Sequence, residues 1–150
     1  MSDIRQKTLE GLEVGDQFTL TRTFTETETM TFGEISRDHN PIHYDERFVR
    51  AKGLQGRICH GLLVGGMITE VGGQIGWLAS GMNFRFRRPV YFGDTVTCVF
   101  TITEVDDKNR ARAEAVLSNQ HGDVVIEAWL TGVLPGPVER NILASLLAGD

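Results

Sequence analysis

The sequence predicts an α+β fold in which an antiparallel sheet wraps around one long buried helix. Two observations lead to it. The stretch from Gly61 to Ser80, GLLVGGMITEVGGQIGWLAS, is apolar and interrupted only by Thr69, Glu70 and Gln74, as in a helix buried on most sides. Period-two stretches lie before and after it, divided by turns rich in glycine, aspartate and asparagine, the pattern of an antiparallel meander. A chain of 150 residues is long enough for a substantial core and fits one domain, 1–150.

Each element follows from its residues. The opening MSDIRQKTLEGLEVGD is polar and holds no apolar core of a leader peptide. The turn EVGDQF then leads into QFTLTRTFT, where Phe18, Leu20 and Phe24 share one face of a strand. A near copy of that turn, YFGDTV, precedes a later strand at Thr95, so one glycine–aspartate turn chemistry is expected twice. Thr31 and Glu34 stand in capping-box spacing, which predicts a short helix over 32–38. Pro41 disfavours helix at Asn40 and offers no amide hydrogen, so that helix must stop. Asp45 can cap a second short helix, ERFVRA.

The buried helix of 61–80 carries six glycines, Gly61, Gly65, Gly66, Gly72, Gly73 and Gly76. Each costs roughly 1 kcal/mol against alanine, which is tolerated where something must approach the backbone, or else the second half frays into a loop. Strands are expected at MNFRFR, at TVTCVFTIT with Val96, Cys98, Phe100 and Ile102 on one face, and at ARAEAVLS and VVIEAWLTGVL. The intervening DDKNR and NQHGD are turn sequences. After Pro135 to Pro137, a stripe of Ile142, Leu143, Leu146 and Leu147 predicts a terminal helix that packs on the body or on a partner subunit.

Composition excludes several classes of function. Hydrophobic residues make up 41% and charged residues 23%, and the net charge is -5, so neither nucleic acid nor an anionic membrane is an expected partner. The longest uninterrupted apolar run is too short to span a bilayer. Cys59 and Cys98 are the only cysteines and read as reduced thiols in a cytoplasmic protein.

The chemistry concentrates in SRDHNPIHYDERF, where Asp38, His39, Asn40, His43 and Asp45 surround Pro41. His39 and His43 have the spacing of two metal ligands on a helix, but Pro41 between them breaks the helix that would hold it, so no metal is expected. If the chain turns back at Asn40 and Pro41, His43 faces Asp38, and a carboxylate and an imidazole can hold and activate one water between them. From composition alone, a solvated helix end is the favoured reading. The order of residues adds to this. Asp38, Asn40, Pro41 and His43 stand as D-x-N-P-x-H, followed by Asp45 and Phe48, with CHGLL and FRRPVYFGDTV further along. This resembles the MaoC-like dehydratases of the (R)-specific enoyl-CoA hydratase type, over nearly the whole chain and in the right order.

The resemblance implies a hot dog fold, usually dimeric or an oligomer of dimers, acting on an acyl-CoA or acyl-carrier-protein thioester of fatty acid metabolism without a cofactor. It implies Asp38 and His43 as the catalytic pair, with Asn40 fixing the turn between them. The backbone amide of Gly61, at the start of the buried helix, would receive the thioester oxygen, where a helix N-terminus stabilises developing negative charge. Substitution of Gly61 should then cost activity more than stability. Thr69 stands where some members carry a serine facing the site, although a helix threonine also bonds to its own backbone. Arg87, in one cluster with Arg85 and Arg88, best matches a basic position of the family, and arginine suits recognition of coenzyme A phosphates. Gly65-Gly66 stands where larger residues are common, which implies an acyl tunnel of different width. Cys59 is read as packing and His60 as a helix-start residue. Two other functions fit such a fold: an acyl-CoA thioesterase using Glu70 on the central helix, or a non-catalytic acyl-binding module.

Overall fold

The computed structural model describes residues 2–148; Met1, Gly149 and Asp150, which the one-domain expectation includes, lie outside them. The chain runs α1 (Asp3–Glu10), β1 (Gln17–Thr23), α2 (Glu26–Ser36), a 3-10 turn (Pro41–His43), α3 (Glu46–Ala51), α4 (Gly61–Ile75), β2 (Leu78–Phe86), β3 (Thr95–Val105), β4 (Arg110–Ser118), β5 (Val124–Val133) and α5 (Pro137–Ala148). The strands form one sheet in the order β1-β3-β4-β5-β2, and every neighbouring pair is antiparallel.

Period-two patterning sets the inner face of this sheet. Val96, Cys98, Phe100 and Ile102 of β3 are all buried, as their alternation requires. On β4, in the middle of the sheet, the inward residues are Ala111, Ala113, Ala115 and Leu117, mostly small side chains that leave volume for a helix. That helix is α4, whose Val64, Met67, Ile68, Val71 and Ile75 join the same core. The two glycine–aspartate turns are equivalent in detail. Asp16 accepts a hydrogen bond from the Glu13 amide at 2.7 Å, and Asp94 accepts one from the Tyr91 amide at 2.9 Å. Gly15 and Gly93 supply the positive φ that each turn needs, 95° and 89°.

Three elements differ from their expected limits. α2 begins at Glu26 rather than at Phe32, because Thr25 with Glu28 forms the capping box and the Thr31 hydroxyl instead bonds to the Thr27 carbonyl inside the helix. α4 stops at Ile75, where Gly76 takes the left-handed C-cap at φ 77°, so Leu78 to Ser80 belong to β2. The polar N-terminus forms α1, capped by Ser2 and tied to α4 through Arg5 on the Gly73 carbonyl. α5 forms where predicted, but of its stripe only Leu143 touches the body, against Gly76, while Ile142, Leu146 and Leu147 stay exposed.

Candidate active site

The end of α2 creates the site. Arg37 adopts left-handed geometry at φ 58° and turns the chain out of the helix, and Ser36 then accepts a hydrogen bond from the Asp38 amide. Asp38 Oδ1 in turn accepts from the Asn40 amide at 3.2 Å. Asn40 Oδ1 accepts from the Ile42 amide at 3.2 Å and so caps the 3-10 turn that begins at Pro41. That turn ends on His43 and points its ring inward, where it is buried. Asp45 follows at once and caps α3 as expected, accepting from the Arg47 and Phe48 amides.

His43 faces Asp38. The His43 Nδ1–H donates to the Ile58 carbonyl at 2.8 Å, which fixes the tautomer and leaves the lone pair on Nε2. His43 Nε2 lies 3.8 Å from Asp38 Oδ2. That distance is too long for a direct hydrogen bond and is one that a water bonded to both could bridge. Burial holds the His43 pKa below the ordinary imidazole value; the neighbouring His60 acts in the same direction, while the Ile58 carbonyl and Asp38 oppose it.

His60 is the residue whose position the sequence did not reveal. It occupies the N-cap position of α4 without making a side-chain cap, and its ring stacks on that of His43 with centroids 3.7 Å apart. Its Nε2–H donates to the Asp38 carbonyl at 2.9 Å, and its buried Nδ1 has no partner among the described residues. His60 therefore braces both members of the facing pair, one through its ring face and the other through its edge. Tyr44 also reaches the Asp38 carbonyl, from above Gly33, where a β-carbon would lie 1.7 Å from the Tyr44 hydroxyl. His39 points elsewhere, against Tyr44.

Asp38, His43 and His60 each offer a ligand atom within 4.8 Å of the others and could in principle hold a metal ion. Hydrogen bonding works against it, because His60 Nε2 donates to a carbonyl and has no lone pair to give in that tautomer. The three residues instead line a cleft of about 640 Å³, together with Gly61, Leu62 and Val64 at the start of α4 and Phe86, Arg87 and Arg88 at its rim. Among the described residues, Asp38 is the one carboxylate on this lining. Cys59 also lines it, buried, and burial pushes its thiol pKa up, so little reactive thiolate forms. Cys98 is buried on the inner face of the sheet, and burial pushes its thiol pKa up to about 12.

The other residues singled out from sequence are divided. Gly61 is the first residue of α4 at the cleft, and its absent side chain leaves room for Phe86: a β-carbon there would lie 2.6 Å from that ring. The expectation that Gly61 could be substituted without strain is therefore corrected. Arg87 is at the rim, paired with Glu127 at 2.6 Å, whereas Arg85 is exposed on β2 and lies away from the cleft lining. Thr69 is exposed two turns along α4, bonds to the Gly66 carbonyl and lines a different cavity. Glu70 is exposed and outside the cleft lining.

The same arrangement of sheet, helix and turn is shared with known proteins. Residues 12–124 match the model of the MaoC like domain. The chain is 31% identical to a mitochondrial 3-hydroxyacyl-[acyl-carrier-protein] dehydratase of Arabidopsis thaliana, over 89% of this chain and 83% of that protein. It is 30% identical to an (R)-specific enoyl-CoA hydratase of Rhodospirillum rubrum, over 84% and 90% of the two chains. Among solved structures, an (R)-hydratase from A. caviae superimposes with a TM-score of 0.78 at 29% identity, covering 84% of this chain and 99% of that one. The fold is thus the hot dog fold, and the chain belongs to the MaoC-like dehydratase family.

Proposed function

We propose that the protein is an (R)-specific enoyl-CoA hydratase, adding water reversibly to a trans-2-enoyl thioester to give the (R)-3-hydroxyacyl thioester. The observation that carries the reading is the Asp38–His43 pair, open at 3.8 Å, in a cleft that begins at a helix N-terminus. A water held between Asp38 Oδ2 and His43 Nε2 attacks C3 of the substrate and gives up one proton to the pair. The C2–C3 π electrons move toward the thioester oxygen, which becomes enolate-like and takes a hydrogen bond from the Gly61 amide, unspent at the first turn of α4. Collapse of the enolate with a proton returned to C2 completes hydration with no net change in the enzyme. Dehydration runs the same steps backwards.

The reaction needs no cofactor. The carrier is coenzyme A or an acyl carrier protein; the matched relatives include proteins named for each. Arg87 and Arg88 at the rim suit the phosphates that both carriers bear. The protein works in the cytoplasm on acyl thioesters, as a single domain and as a homodimer or an oligomer of dimers. A thioesterase reading has less support, because Glu70 lies outside the cleft.

Incubation with trans-2-enoyl-CoA distinguishes the readings. Loss of the conjugated-enoyl absorbance with formation of the (R)-alcohol on a chiral column is the expected result. Release of free thiol would make it a hydrolase, and neither change would make it a binding module.

A further inference from the structure

We propose that Phe84 is a septum dividing one apolar groove into two cavities, and that it restricts the protein to short acyl chains. The inference rests on the hydratase reading above. Three elements carry it in the same order. On α4, Gly61 and Val64 line the cleft of the Asp38–His43 pair, while Ile68 and Gly72 line a second cavity of about 260 Å³. On β2, Phe86 lines the first and Met82 the second. On β5, Ile126 lines the first and Leu130 the second.

Between the two cavities, each element contributes its middle residue: Gly65 on α4, Phe84 on β2, and Ala128, which pairs with Phe84 on β5. The Phe84 ring occupies the space that Gly65 leaves, coming 3.0 Å from the point where a β-carbon would stand. It stacks on Phe86 with centroids 6.0 Å apart, so the two rings form one wall. Glycine and alanine on the flanking elements give their volume to this single side chain. Beyond it, Ile68, Trp77, Phe100 and Leu130 make the second cavity a place for hydrocarbon.

The helix sets the scale. Gly61 and Gly65 are four residues apart, roughly 6 Å along the axis. A thioester held at the first amide of α4 thus meets Phe84 after about one helical turn. A short acyl chain ends before the ring, and a longer one must displace it.

The test compares hydration of trans-2-enoyl-CoA esters of four, six, eight and ten carbons by the full-length protein, Phe84→Ala and the milder Phe84→Leu, with melting temperatures for each. The native protein should lose kcat/KM beyond six carbons by ~10-fold or more per step, the scale of one misfitting group in an apolar pocket. Phe84→Ala should raise the ten-carbon to four-carbon ratio of kcat/KM at least ~10-fold, chiefly through KM, with Phe84→Leu between. Adding Thr69→Phe, which fills the second cavity, should reverse the gain. A folded Phe84→Leu protein with an unchanged ratio, or a native protein with a flat length profile, overturns the septum and leaves the hydratase reading standing. If the native protein hydrates none of the four esters, both fall.

Discussion

At the residue scale, the proposed reaction depends on how His43 is held. Its Nδ1–H is committed to the Ile58 carbonyl and its face to His60, so only Nε2 is free to act on Asp38's side. Asp38→Asn and His43→Ala should each lower turnover by at least ~10²-fold, the usual scale for a positioned acid or base. The double variant should lose little more than either single one if, as proposed, both groups act on one water. A base must be neutral, and burial holds His43 below the ordinary imidazole pKa of about 6.5. As pH falls, the neutral form therefore persists past that value, and kcat/KM should drop only below it. An acid limb centred above the ordinary value would show that His43 is not the group titrating. The pair itself was legible in the order Asp38-x-Asn40-Pro41-x-His43. His60 was not, because it lies seventeen positions after His43 in the sequence and only the start of α4 brings the rings together.

At the element scale, periodicity located every strand and the central helix, and its failures have local causes. The sequence offers two capping boxes, Thr25 with Glu28 and Thr31 with Glu34, and the helix uses the earlier because it gains more turns before Arg37 ends it. The end of α4 was hidden because an apolar helix and an apolar edge strand read alike until Gly76 divides them. The start of α4 carries the sharper test. Gly61→Ala puts a methyl group 2.6 Å from Phe86, so it should lower stability by about 1–3 kcal/mol as an overpacked contact. Phe86→Leu in the same protein should restore most of the melting temperature by removing the clash. If the Gly61 amide must lie against a thioester, turnover should stay low in that stable double variant. Recovery of turnover along with stability would place the oxyanion donor elsewhere.

At the scale of the whole molecule, the sheet ends on strands β1 and β2, and β2 is exposed along nearly its full length. Leu78, Met82 and Phe86 on it are 73%, 42% and 56% exposed. An exposed edge with apolar side chains is one that a soluble protein normally covers. Pairing of two copies along β2 would cover it and would press on Phe86, the side chain that lies against Gly61 at the helix start. Association and catalysis should therefore be coupled, although Asp38, His43 and His60 all come from one chain. Light scattering should give twice the mass of the chain at micromolar concentration. Leu78→Lys with Asn83→Lys, both at exposed positions of β2, should halve that mass, because lysine on an edge opposes strand pairing. Specific activity should fall in the same variant, and in the native protein on dilution through the range where the mass halves. A native protein that scatters as a single chain and keeps full turnover would mean that the β2 edge stays open to solvent and that the helix start needs no partner to hold it.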